Sequence, residues 1–486
     1  MGVLSGLEPK EFFHYFEEIS NIPRGSYHEK AISDHLKQFA EERGCTVFQD
    51  EYYNLLVKVP ASKGYENAHP VLFHGHMDMV LDKEPGVEKD MLKEGVDLYI
   101  DGDYIRAKGT TLGADNGVGV AFMMCVIDDP TLPHPPIECC ISVQEEVGKR
   151  GGIVFDPKNV TGKRLMDFNW HKPDTVFAGC AGDISAYFRL PVEFEAVSGD
   201  MSFYKLAIEG GLGGHSEFDI NLERINALQQ FGRLVNLIAI EKEIHLTEIA
   251  GGVNRYVIPG TMENIIAIRR EDEEAVAAIV ADYAAVLANE YKIADKDLKV
   301  VFEKAEPKSE VMTYAVSGKI AQALHLLPCG VQSMSLEIKG LVESSNTMAM
   351  MGTDREKGQV WILSTIPSAV TSRRYDILQK VRDLATLMGA NVDTFADCPE
   401  WQYKPESKLL ATAKNAFKKL YGYEPNVEVS HSSLELGLFC KKIPGLECIS
   451  LGPKAYDVHT PKESLDWTTV QMVWDHIKEI LAELND

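Results

Sequence analysis

Residues 71–80 read VLFHGHMDMV. Val71, Leu72 and Phe73 form the short unbroken apolar run of a strand buried on both faces, as in a parallel sheet covered by helices. His74, His76 and Asp78 follow at period two, so on a strand they share one face. Ionisable groups at the end of a core strand are costly unless a partner compensates them. The run therefore calls for a helix-covered sheet with chemistry at the carboxyl end of one strand.

The rest of the chain repeats the pattern. Helices are expected at 9–20 and 27–43, strands at 45–58 and 70–75, and a hairpin over 98–109 with Asp101 and Gly102 as its turn. A glycine-containing turn leads into the apolar helix AFMMCVIDD, and IECCISV at 137–143 reads as another buried strand. Strands alternating with helices imply an α/β domain with a mixed sheet. From about 190 the texture changes to strand–helix–strand units of α+β character, and α/β texture returns after the stretch ADCPEWQYKP. The expected organisation is a catalytic domain in two parts, 1–190 and 401–486, with an inserted α+β domain at 191–400.

The net charge of −24 disfavours nucleic acid and anionic membranes as partners, since both attract basic surfaces. Nine cysteines without a CxxC pair suit reduced thiols in a cytoplasm. No run is long and apolar enough to predict a membrane span, and no signal peptide is visible.

Further ionisable residues lie where other strands are expected to end. Asp115 sits in GTTLGADNGVG, Glu145 and Glu146 in ISVQEEVGKRGG, Asp167 in RLMDFN and His459 in YDVHTPKE. Ligand sites of open α/β sheets form at such ends. Carboxylates and imidazoles converging there would repel unless cations joined them, and this donor set suits zinc and related divalent ions. One aspartate can bridge two ions that share a water. Glu145, beside Glu146, is placed to take that water's proton, and Asp78 to orient His76.

The motifs GHMD (75–78), GTTLGADNG (109–117), QEEVG (144–148) and VHTPKE (458–463), with GGLGGHSEFDI and SLELGLF, resemble the di-zinc metallopeptidase family of aminoacylase and carboxypeptidase G over nearly the whole chain. The resemblance implies a zinc-dependent catalytic domain and an inserted lid. It places His76, Asp115 and Asp167 on one ion, and Asp115, Glu146 and His459 on the other. Glu145 becomes the general base and Asp78 the residue orienting His76. His215, in GGHS, becomes the group that polarises the scissile carbonyl, in many relatives from the opposite subunit of a homodimer. His74 is read as a packed or supporting histidine.

The implied activity is hydrolysis of dipeptides of the Xaa-His or β-Ala-His kind by metal-activated water, with cobalt or manganese able to replace zinc. Substrate contacts are expected from Asn254, Tyr256, Ser364 and Glu435. At two of these the sequence departs from the family: Tyr256 stands where asparagine is usual, and Ser364 or Thr365 where an arginine clamps the substrate carboxylate. Arg373 or Arg374 would then replace the clamp. Otherwise the substrate lacks that carboxylate, as in a second reading, an N-acyl amino acid deacylase on the same scaffold.

Overall fold

The computed structural model describes residues 2–486. The chain forms two compact units. One comprises residues up to Gly179, Tyr403–Val429 and Glu435–Asp486; the other comprises Cys180–Gln402 and Ser430–Leu434. The division comes before residue 190 because the long strand Thr175–Pro191 continues as part of the second unit.

In the first unit the strands Thr46–Gln49, Leu55–Val59, Ile137–Ser142, Val71–His76, Arg164–Asp167 and Glu447–Ser450 lie side by side in that order. Val71–His76 is parallel to both of its neighbours, and Glu447–Ser450 is parallel to Arg164–Asp167. Every residue of Val71–His76 and Ile137–Ser142 is buried, as their unbroken apolar runs require. The sheet is mixed, because the two strands at the Thr46 edge pair antiparallel. The four parallel strands bring their carboxyl ends to one edge, and the ionisable residues lie there.

The helix Ala114–Asp128 is apolar around its whole circumference and correspondingly buried. Its Phe122 ring lies 4.6 Å from Phe12 and 5.8 Å from Trp474, and Phe73 meets Phe168 edge-on at 4.9 Å. Each such ring removed from water stabilises the unit by about 1.5–3 kcal/mol. Helices Lys10–Ser20 and Lys30–Glu42 occupy the spans read from sequence. In the hairpin Leu98–Asp101/Tyr104–Ala107, Asp101 pairs with Tyr104, so Gly102 and Asp103 form the turn, one residue later than expected. Gly102 takes the left-handed φ of +60° that this turn needs.

The second unit contains an antiparallel sheet in the order Ile244–Leu246, Met262–Arg269, Met201–Glu209, Lys299–Lys304. Helices Ala227–Glu241 and Glu273–Glu290 contribute Phe231, Leu234, Val276 and Val280 to a core with Leu206, Ile208 and Ile266. The Met-rich stretch 347–352 lies in the strand Val342–Asp354, where Met348 and Met351 are core residues.

Both units bury histidines in their neutral form, His476 in the first and His431 in the second among them. His476 meets the Ala413 carbonyl at 2.7 Å, and burial lowers its pKa to about 4. His431 lies 2.7 Å from Ser345 Oγ, and burial lowers its pKa to about 3. The unfolded chain binds these protons near pH 6.5 and the folded chain does not. The stability they carry is complete above 6.5 and is lost as pH falls toward the folded values, by about 1.4 kcal/mol per pH unit for each. His476→Gln keeps a donor to Ala413 and removes the titration. Thermal unfolding of the first unit in this variant is expected to depend less steeply on pH between 6.5 and 4 than in the parent.

Candidate metal centre

At the carboxyl end of Val71–His76, the buried guanidinium of Arg24 ties the backbone together. It donates to the Met77 carbonyl at 3.1 Å and the Gly113 carbonyl at 2.6 Å. Gly113 has φ +74°, and a Cβ there would lie 2.5 Å from an Arg24 nitrogen, so only glycine fits. The Glu463 carboxylate accepts from the N–H groups of Leu112 (2.8 Å), Gly113 (2.9 Å) and Ala114 (2.8 Å) at the start of the following helix. That fixes the turn that presents Asp115. Neither Arg24 nor Glu463 was singled out in the sequence, although Glu463 closes the VHTPKE motif.

Asp115 lies between imidazoles. Its Oδ1 is 3.0 Å from His76 Nε2, and its Oδ2 is 3.3 Å from His459 Nε2. His459 Nε2 is also 3.0 Å from Glu146 Oε2, while Glu146 Oε1 is buried without a hydrogen-bond partner among the described residues. His76, Asp115 and Glu146 each bring a ligand atom within 4.8 Å of the others. Burial disfavours charge on His76, but Asp115 and Asp78 overcome it and raise its pKa well above the usual value. Hydrogen bonds to Asp115 and Glu146 raise that of His459 to about 10. A divalent cation replacing those protons would use the same nitrogen and oxygen atoms, and would also satisfy Glu146 Oε1. Imidazole and carboxylate without thiolate is a donor set that zinc, cobalt and manganese accept. The residues fit a metal.

Asp78 is fully buried. Its Oδ1 lies 3.4 Å from His76 Nδ1 and accepts from the Glu145 N–H at 3.1 Å; its Oδ2 accepts from Ser26 Oγ at 2.8 Å. Burial pushes its pKa up, but these bonds, led by that of His76, outweigh burial and hold it below the usual carboxylate value. One aspartate thus orients His76 and anchors the turn carrying Glu145 and Glu146. Gln144, at φ +52°, makes that turn. Glu145 is pushed up to about 7, because burial outweighs the positive field of His76.

Two residues lie elsewhere than expected. Asp167 does not join this group: its Oδ1 is 2.8 Å from His74 Nδ1, and its Oδ2 accepts from the Ser450 hydroxyl and from the Asn169 N–H at 3.1 Å. The reason is register, since His74, not His76, is its cross-strand partner. Glu435, expected at the substrate, is an internal bridge. It lies 3.1 Å from His74 Nε2 and accepts from Ser142 Oγ at 2.8 Å and the Gly152 N–H at 2.7 Å.

The remaining residues belong to the second unit. His215 Nδ1 accepts from the Glu217 N–H at 3.2 Å, which leaves the ring proton on Nε2, and burial lowers its pKa. Its ring lies parallel to that of Tyr256 at 5.9 Å. Asn254 Oδ1 accepts from the Tyr256 N–H at 2.9 Å. The Tyr256 hydroxyl lies 3.3 Å from Asp183 and also contacts Arg255. Ser364 is buried in the strand Gln359–Ser368. Arg373 pairs with Glu343 at 2.8 Å, and the buried Arg374 with Glu400 at 3.0 Å, so both suggested clamps are engaged in ion pairs.

A model of peptidase family M20/M25/M40 matches residues 72–483. The chain belongs to this family. It is a hydrolase, a metallopeptidase, as the metal-ready donor set implies. A curated relative, the cytosol non-specific dipeptidase of Escherichia coli (strain K12), is 30% identical over 485 residues, covering 100% of this chain and 99% of that one. Aminoacylhistidine dipeptidase from Vibrio alginolyticus superposes with a TM-score of 0.93 at 31% identity, covering 98% and 97% of the two chains. Aminopeptidase PepT from Bacillus cereus ATCC 10987 has a similar fold, with a TM-score of 0.58 at 15% identity over 99% of this chain and 100% of that one.

Proposed function

We propose that this M20 peptidase is a two-metal dipeptidase, cleaving Xaa-His and related dipeptides. The observation that carries the reading is the Asp115 carboxylate set between His76 and His459, with Glu146 on His459 and Glu145, the preceding residue, in the field of His76 and Glu146. His76, Asp115, Glu146 and His459 would hold the ions, zinc being the best match. When bound, such ions polarise a carbonyl and acidify water. Glu145, with its pKa pushed up to about 7, takes the water's proton and returns it to the leaving amine. Asp78 keeps His76 in one orientation. The Nε2–H of His215 is a neutral donor suited to the developing oxyanion, supplied, by the family resemblance, from a second copy of the chain in a homodimer.

The dipeptide assignment is supported by two relatives near 30% identity whose names are those of dipeptidases. A cytoplasmic location accords with the first of these names; among the described residues no helix is long and apolar enough to cross a membrane. The substituted positions Tyr256 and Ser364 favour the deacylase as the second reading.

Purified protein, stripped and reloaded with zinc, cobalt or manganese, separates the two readings. β-Ala-His and a panel of Xaa-His dipeptides are expected to be cleaved with higher kcat/KM than N-acyl amino acids, and only in metal-loaded samples. Faster cleavage of the N-acyl compounds would replace the dipeptidase with the deacylase.

A further inference from the structure

Three imidazoles face the Asp115 carboxylate, and the ligand set above uses two. The third is His171, in the loop after Arg164–Asp167. Its Nε2 lies 4.0 Å from Asp115 Oδ2, the oxygen that also faces His459. Its Nδ1 is buried and has no hydrogen-bond partner among the described residues. The same loop carries Asn169, whose Nδ2 lies 3.5 Å from His76 Nε2 and whose Oδ1 accepts from Asn116 Nδ2 at 3.2 Å. Asp167, the last residue of the strand before this loop, is held by His74 and Ser450. The loop therefore brings an amide and an imidazole to the centre in place of a carboxylate.

We propose that His171 is a metal ligand of this centre through Nε2, and that the cations are held by three imidazoles and two carboxylates, with the neutral Asn169 amide beside His76. The proposal rests on the two-metal reading. Its physical content is charge and softness. The donor set carries one negative charge fewer than a set with a third carboxylate, so each cation is held by less Coulomb attraction. The added imidazole suits zinc and cobalt, whereas manganese prefers oxygen donors. The centre should accordingly discriminate against manganese more than a carboxylate-rich one does.

The test compares the full-length protein with His171→Ala, His171→Gln and Asn169→Asp, each stripped of metal. Zinc stoichiometry is measured by elemental analysis, affinity by chelator competition, and coordination by the visible absorption of the cobalt-loaded proteins. Wild type is expected to bind two zinc ions. His171→Ala and His171→Gln should weaken one of them by more than about tenfold and alter the cobalt bands, without changing the melting temperature of the metal-free protein. Asn169→Asp should shift the zinc-to-manganese preference toward manganese. Unchanged zinc affinity and cobalt spectra in both His171 variants would overturn the assignment of His171 alone. A wild-type protein that binds no zinc would overturn the two-metal reading beneath it.

Discussion

Glu145→Gln is expected to lower kcat by about 10²- to 10⁴-fold, the range for losing a positioned general base, while zinc content and KM stay near those of the parent. Glutamine has nearly the same shape, so the turn at Gln144 and the bond from the Glu145 N–H to Asp78 at 3.1 Å should persist. What it lacks is an oxygen that can take and return a proton. A base works best with a pKa near the working pH, and burial brings Glu145 to about 7 against the pull of His76. Asp78→Asn provides the contrast. It removes an acceptor that orients His76 and anchors the Glu145–Glu146 turn, so zinc affinity should fall along with kcat. Steady-state kinetics with elemental analysis on the same samples decide the matter. If Glu145→Gln turns over like the parent, the base is another group; if it loses zinc, Glu145 is a ligand.

The face of the sheet on which the chemistry lies was legible in VLFHGHMDMV, because strand alternation is a property of the chain alone. The register between strands was not. His74 pairs with Asp167 across the sheet, so continuing the same parallel register past the strand ends would bring the residue two beyond Asp167 opposite His76. That residue is Asn169, and His171 follows at the next step of two. Asp167 is the acidic residue nearest the end of its strand, and only the pairing between strands sets it against His74 rather than His76. The partners of Glu435 were not legible for a related reason. It follows the strand Asn426–Ser433 near the sheet edge, where ligand contacts are common, but its partners Ser142 and Gly152 are far away in sequence. Arg24 and Glu463 escaped notice because each acts on backbone groups of a distant turn, which leaves no local pattern. The convergence of His76, Asp115, Glu146 and His459 was legible because each member follows a recognisable apolar run or motif.

The His74 network leads to the second large effect. His74→Ala should destabilise the first unit by about 3–5 kcal/mol, the usual cost of removing one partner from a buried ionic group. The imidazole lies between Asp167 at 2.8 Å and Glu435 at 3.1 Å, all three nearly inaccessible. Burial alone would strip its proton, but the two carboxylates overcome burial and raise its pKa to about 9. Removing it leaves two carboxylates facing each other in a dry space, eased only by the hydroxyls of Ser142 and Ser450 and the N–H groups of Gly152 and Asn169. At least one of them should then take up a proton on folding, so the variant's deficit should grow as pH rises from 4 to 7. The double variant His74→Ala/Glu435→Gln should lose less than the sum of the single losses, because the second change removes the charge that the first left unpaired. Metal-free protein is the right sample, since bound cations add stability by mass action. Asp167→Asn separates support from ligation: it should lower the same melting temperature and leave zinc binding intact, whereas loss of zinc would return Asp167 to the ligand set. A metal-free His74→Ala protein that melts with the parent would mean that the two carboxylates are solvated without the imidazole, and that the strand ends carrying His76 and Glu146 do not depend on it.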